Sequence, residues 1–206
     1  MSVLKAVFLN ASLKSSEEES NTDALFEEVK KIYTNHHVET KSIRLADYHI
    51  KYGIADDLGD GDEWPQILEE VKKADIVILG TPVWLGEKSS LATVAMERLY
   101  GSSTLKDDDG NPIYLNRVAG TVITGNEDGA KHAARSILYG MSHIGFVIPP
   151  NVDAYWVGEA GPGPSFIEAN GIENEFTKSH VKWLAHHTIY MANLLKQHPM
   201  PVVTFE

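Results

Sequence analysis

Apolar residues fall along this chain in two alternating kinds of run. Short strand-like runs at residues 3–9, 38–45, 76–81, 118–124 and 146–148 predict strands. Between them, and after the last, residues 21–35, 64–73, 89–100, 130–144 and 173–197 predict helices. In the first helix Leu25, Val29, Ile32 and Tyr33 fall near the 3.6-residue period, which leaves Glu27, Glu28, Lys30 and Lys31 on the wet side. The runs Ile76-Val77-Ile78-Leu79 and Val118-Ala119-Gly120-Thr121-Val122-Ile123 are apolar on both alternating faces, as central strands covered by helices on two sides must be. Five strands separated by helices predict an α/β fold: a three-layer, doubly wound, five-stranded parallel sheet.

In such sheets ligands bind at the carboxyl ends of the strands, so the loops there carry the chemistry. Ser12-Leu13-Lys14-Ser15-Ser16-Glu17-Glu18-Glu19-Ser20-Asn21-Thr22 follows the first strand and runs into a helix. Its hydroxyls, the Asn21 amide and the Lys14 ammonium are hydrogen-bond donors, and the helix adds unpaired N–H groups and a positive dipole end. Ser20 or Asn21 serves equally as an N-cap. The loop contains no glycine, so neither G-x-G-x-x-G nor the Walker pattern is present, and side-chain donors of this kind suit one terminal phosphate. Glu17, Glu18 and Glu19 would repel that phosphate if they faced it, and are expected on the solvent side.

Two more loops share this edge. Thr81-Pro82-Val83-Trp84-Leu85-Gly86 brackets an aromatic between a φ-fixing proline and a glycine that lets backbone approach a flat ligand, with Ser89 or Ser90 capping the next helix. Thr124-Gly125-Asn126-Glu127-Asp128-Gly129 offers two glycines, an amide and a carboxylate. One phosphate seat combined with two loops able to grip a planar ring points to FMN.

Composition narrows the chemistry. The 206-residue chain, 43% hydrophobic, is read as one domain over 1–206, with 153–206 supplying a capping loop and a C-terminal helix. Its net charge of -11, without a basic stripe, argues against nucleic-acid and anionic-membrane partners. The absence of cysteine removes disulfides, thiolate catalysis and Cys-ligated clusters, so redox chemistry has to come from a bound cofactor. No apolar run approaches the ~20 residues of a membrane span and no leader pattern is visible, so a cytoplasmic location is expected. The nine histidines lack metal-ligand spacing, and Asp107-Asp108-Asp109 lacks that of a calcium loop; a surface turn or small hairpin is expected at 106–116.

The loop at 12–22, the Thr81-Pro82-x-Trp84-x-Gly86 segment and Thr124-Gly125-Asn126-Glu127-Asp128-Gly129 together resemble the flavodoxin-like NAD(P)H-dependent FMN reductase family. The resemblance implies that Ser12, Lys14, Ser20, Asn21 and Thr22 meet the FMN phosphate. It places Thr81, Pro82, Val83, Trp84, Leu85 and Gly86 along the isoalloxazine, and Thr124, Gly125, Asn126, Glu127 and Gly129 at its pyrimidine side. Lys14 stands where many relatives carry arginine, which gives up bidentate phosphate binding. The resemblance also implies a homodimer, NADH or NADPH as electron donor, and a small-molecule acceptor such as a quinone served in ping-pong fashion. No side chain is required as acid, base or nucleophile. A flavodoxin-type electron carrier is the alternative. Residues 154–166, dense in Gly, Pro and aromatics, form either a cap over the cleft or a rigid connection with Tyr155 and Trp156 packed inward.

Overall fold

The computed structural model describes residues 3–203. A five-stranded parallel sheet runs in the order β2-β1-β3-β5-β6, with β1 at Lys5–Asn10, β2 at Glu39–Arg44, β3 at Ile76–Trp84, β5 at Val118–Gly125 and β6 at Asp153–Val157. A two-residue strand, β4 (Glu87–Lys88), folds back antiparallel on the end of β3. Helices α1 (Asn21–Asn35) and α5 (Glu175–Gln197) cover one face; α2 (Trp64–Lys73), α3 (Ser90–Gly101) and α4 (Ala130–His143) cover the other. Alternation along β1 shows why three layers form. Ala6 and Phe8 join Leu25, Phe26, Val29 and Leu184 in one core, while Val7 and Leu9 join Trp64, Ile67, Leu99 and Met141 in the second. Each large apolar side chain buried this way contributes about 1.5–3 kcal/mol.

Two predicted strand limits are wrong, both at prolines. The fifth strand is Asp153–Val157 and not 146–148, which contributes only an isolated bridge from Val147 to Val118. Pro149 and Pro150 cannot donate to a ladder, so the chain leaves the sheet after Val147, turns through Asn151 at φ 53° and rejoins at Val152, whose carbonyl accepts from the Thr121 N–H. The third strand does not stop at Thr81. Pro82 pairs with Thr124 in the parallel register and the strand runs on to Trp84, where Leu85 and Gly86, both at positive φ, turn it back.

Long-range ties hold the rest. Arg98 on α3 directs all its N–H groups to the segment after β2: Nε to the Ala55 carbonyl (2.8 Å), Nη1 to the Lys51 carbonyl (2.8 Å) and Asp62 (3.0 Å), Nη2 to the Asp56 carbonyl (3.2 Å) and Asp62 (2.6 Å). Both side chains of this ion pair are wholly buried. Burial works to raise the Asp62 carboxyl, but the guanidinium and the N–H groups of Leu58, Lys51 and Trp64 hold it well below the usual carboxylate range. At 106–116 the chain makes the expected turn: Lys106 bridges Pro112, and the Asp107 carboxylate accepts from the N–H groups of Asp109 and Asn111.

Candidate functional site

The three loops meet in one cleft of about 490 Å³ at the carboxyl edge of the sheet. Ser12, Lys14, Ser20, Asn21 and Thr22 line one end; Pro82, Val83 and Trp84 line a wall; Thr124, Gly125, Asn126 and Glu127 line another.

At the polar end, Ser20 is the N-cap of α1, its Oγ accepting from the Asp23 N–H (3.3 Å) and the Asn10 amide (3.2 Å). Asn21 and Thr22 open the helix, so their N–H groups have no intrahelical acceptor. The Thr22 and Thr124 hydroxyls lie 3.2 Å apart, and one proton suffices for that bond, leaving the other hydroxyl free. Lys14 Nζ donates to the Glu19 carbonyl (3.3 Å) across the loop. Glu17, Glu18 and Glu19 are exposed, with Glu19 at the cleft margin. The helix start lies close to the sheet because residue 80 is glycine: a Cβ there would stand 2.3 Å from the Phe26 ring and 2.7 Å from Thr22 Cγ2.

The wall of Pro82, Val83 and Trp84 runs on into the hairpin Trp84-Leu85-Gly86-Glu87. The Glu127 carboxylate accepts from the Leu85 N–H (2.8 Å), and Glu87 bonds the His132 ring (2.6 Å), an interaction that holds the Glu87 carboxyl below its ordinary value. Gly129 and Gly86 touch backbone to backbone; a Cβ on Gly129 would lie 2.5 Å from Gly86 Cα.

Four candidates stand outside the lining. Thr81 is fully buried, its hydroxyl accepting from the Ser89 N–H (2.9 Å) and donating to the Pro82 carbonyl (2.8 Å). Ser89 caps α3 and donates to the Ala11 carbonyl (2.7 Å), so this pair fixes the bases of two loops. Leu85 is at the hairpin tip, 95% exposed, and Gly86 and Gly129 form the loop contact just described. Five lining residues were not among the candidates: Leu13, Glu19, Trp156, Gly161 and Phe166. Trp156 packs inward and lines the cleft at once, edge-on to Phe166 at 5.7 Å. The segment 158–166 reaches the cleft because the Asn126 amide donates to the carbonyls of Gly163 and Pro164 (both 2.8 Å) and Asn21 Oδ1 accepts from the Ile167 N–H (3.0 Å). Its density of glycine, proline and aromatics was the available signal. Among the described residues no group of three His, Asp or Glu side chains is placed to hold a metal ion.

A doubly wound parallel sheet carrying a three-loop cleft at its carboxyl edge defines a flavodoxin-like protein. More particularly, the chain belongs to the NADPH-dependent FMN reductase family, whose pattern matches residues 4–159. FMN and NAD(P)H are the cofactors of that family. The chain is 41% identical over 199 residues to a Mycobacterium bovis protein named divalent metal cation transporter MntH, covering 94% of this chain but 29% of that protein. No helix among the described residues is long and apolar enough to cross a membrane. It is 35% identical over 206 residues to 8-demethyl-8-aminoriboflavin-5'-phosphate synthase of Streptomyces davaonensis, covering 95% of this chain and 80% of that enzyme. Among solved structures, RosB with its bound intermediate 8-demethyl-8-formylriboflavin-5'-phosphate superposes with a TM-score of 0.88 at 34% identity, covering 96% of this chain and 82% of that one.

Proposed function

We propose that this chain is an FMN-dependent NAD(P)H oxidoreductase. When bound, FMN supplies the redox chemistry, taking a hydride from NAD(P)H and passing electrons to a small acceptor such as a quinone. The observation that carries the reading is the division of one cleft into a donor-rich end and an apolar slot. Ser12, Lys14, Ser20, Asn21 and Thr22, with the first N–H groups of α1, offer a phosphate end. Pro82, Val83, Trp84, Trp156 and Phe166 offer a slot for a flat ring, and Thr124, Gly125, Asn126 and Glu127 offer polar groups beside it. The Glu127 carboxylate, turned to Leu85, holds the hairpin wall in place. No side chain in the cleft is assigned as acid, base or nucleophile, because binding, orienting and excluding water suffice. The Trp84 side chain lines the cleft and is half exposed, which supports a role for it in meeting an arriving nicotinamide or acceptor.

Steady-state NAD(P)H oxidation with a quinone tests this. Parallel double-reciprocal lines support a shared site used in turn; no turnover without an added redox partner points to an electron carrier. Size-exclusion chromatography at a dimer mass supports the expected homodimer.

The Streptomyces relative favours a second reading, in which a flavin phosphate enters this cleft as reactant and not as resident cofactor. Mass spectrometry of the flavin recovered after turnover separates the two: unchanged FMN supports the oxidoreductase, a modified ring the second reading.

A further inference from the structure

Behind the polar end of the cleft, and outside its lining, lies a group of side chains from the end of β2 that the reading above leaves unused. Arg44, the last residue of β2, is 9% exposed. Its Nη1 donates to the carbonyls of Lys14 (2.9 Å) and Ser15 (2.6 Å), and its Nη2 pairs with Asp23 Oδ2. Three residues on, Asp47 Oδ1 accepts from the Ser16 N–H (2.8 Å), and the bonds from Ser16 hold that carboxyl below its ordinary value. Asn10, at the end of β1, donates to Asp23 Oδ1 (2.6 Å) and Ser20 Oγ (3.2 Å).

We infer that Arg44 is a positioning residue that makes the loop after β1 selective for a phosphate-bearing ligand. This rests on the reading of that loop as the phosphate end. Two physical tasks converge on one guanidinium. Gripping two consecutive carbonyls from behind fixes the Lys14-Ser15-Ser16 backbone, and with Asp47 on the next N–H it sets where Ser12 and Lys14 present their donors. Pairing with Asp23 solves a charge problem: an acid in the first turn of α1 occupies the positive helix end that a phosphate would use, and unpaired it would repel a dianion. Lysine serves the second task but not the first, because a point charge cannot span two carbonyls and a carboxylate in a fixed fork.

The test measures dissociation constants for FMN and for riboflavin, which lacks the phosphate, in wild type, Arg44→Lys, Arg44→Met and the double variant Asp23→Asn/Arg44→Met. Wild type is expected to prefer FMN; a wild type that binds both equally would overturn the phosphate reading itself. Given that preference, Arg44→Met is expected to weaken FMN at least tenfold with riboflavin changed less than twofold. Arg44→Lys should fall between, and Asp23→Asn/Arg44→Met should regain part of the loss because the orphaned carboxylate is gone. Equal weakening of both ligands, or of neither, would overturn the role given to Arg44. If Arg44→Met does not fold, the FMN-to-riboflavin ratio of Arg44→Lys decides in the same way.

Discussion

Gly129→Ala, compared with Gly86→Ala, separates the geometry of the cleft from the stability of its loops. The two glycines are neighbours across the site, one beginning α4 and one at the tip of the β3–β4 hairpin. Gly86 sits at φ +77° with open space around a built Cβ, so alanine there meets only left-handed backbone strain, about 1–2 kcal/mol. Gly129 sits at φ +117° with Gly86 Cα and O each 2.5 Å from its built Cβ. Both neighbours are backbone, and no rotamer relieves the contact. The hairpin has to recede by about 1 Å to restore a carbon separation near ~3.5 Å. The intrusion costs about 1–3 kcal/mol and the strained φ about 1–3 kcal/mol more. The displacement also pulls on the 2.8 Å bond from Leu85 to Glu127 and shifts the wall bearing Trp84. Misplacing a positioning group by ~1 Å costs on the order of 100-fold in rate. Thermal melts, FMN fluorescence titration and NAD(P)H oxidation should therefore show Gly86→Ala destabilised but within a few-fold of wild-type kcat/KM, and folded Gly129→Ala reduced about 100-fold. A folded Gly129→Ala with wild-type FMN affinity and rate, or a Gly86→Ala equally impaired, would refute the reasoning.

Arg98→Met leaves Asp62 and three carbonyls without their buried donor, so denaturant unfolding should show a loss of about 3–5 kcal/mol; a loss below about 1 kcal/mol would contradict the account. The depressed Asp62 carboxyl contributes stability above its unfolded value that is lost as pH falls through its folded value. Below about pH 4, wild type should therefore lose stability faster than Asp62→Asn, by about 1.4 kcal/mol per pH unit, and parallel curves would argue against it. Asn126→Ala frees the carbonyls of Gly163 and Pro164, and should raise hydrogen exchange and proteolytic nicking within 158–166 at a cost of about 1–3 kcal/mol; unchanged protection would remove Asn126 as the tether.

Local signals in the sequence carried much of the architecture. The 3.6-residue pattern and its flanking residues placed α1 and α2 at their observed limits, because their apolar faces and ends are coded within a few residues. Twelve of the candidate site residues line the cleft, since loops at the carboxyl edge of a parallel sheet are brought together by topology alone. What stayed illegible depends on partners far apart in the chain. The third strand was expected to end at Thr81, yet Pro82 holds a parallel register against Thr124 that only the neighbouring strand reveals. Arg44 with Lys14 and Ser15, and Arg98 with Asp62, are separated by about thirty residues or more and leave no local trace. Thr81 has the composition of a ligand contact, but its hydroxyl is used by Ser89.

The central claim, that this cleft holds FMN and admits NAD(P)H to it, is tested most directly by one anaerobic titration. Purified protein is supplied with FMN, freed of unbound flavin and mixed with NADH or NADPH while its visible spectrum is followed. The account predicts a stoichiometric yellow complex whose flavin band bleaches with at least one of the two nucleotides. A protein that stays colourless after FMN is added, or a bound flavin that neither nucleotide reduces, would contradict it.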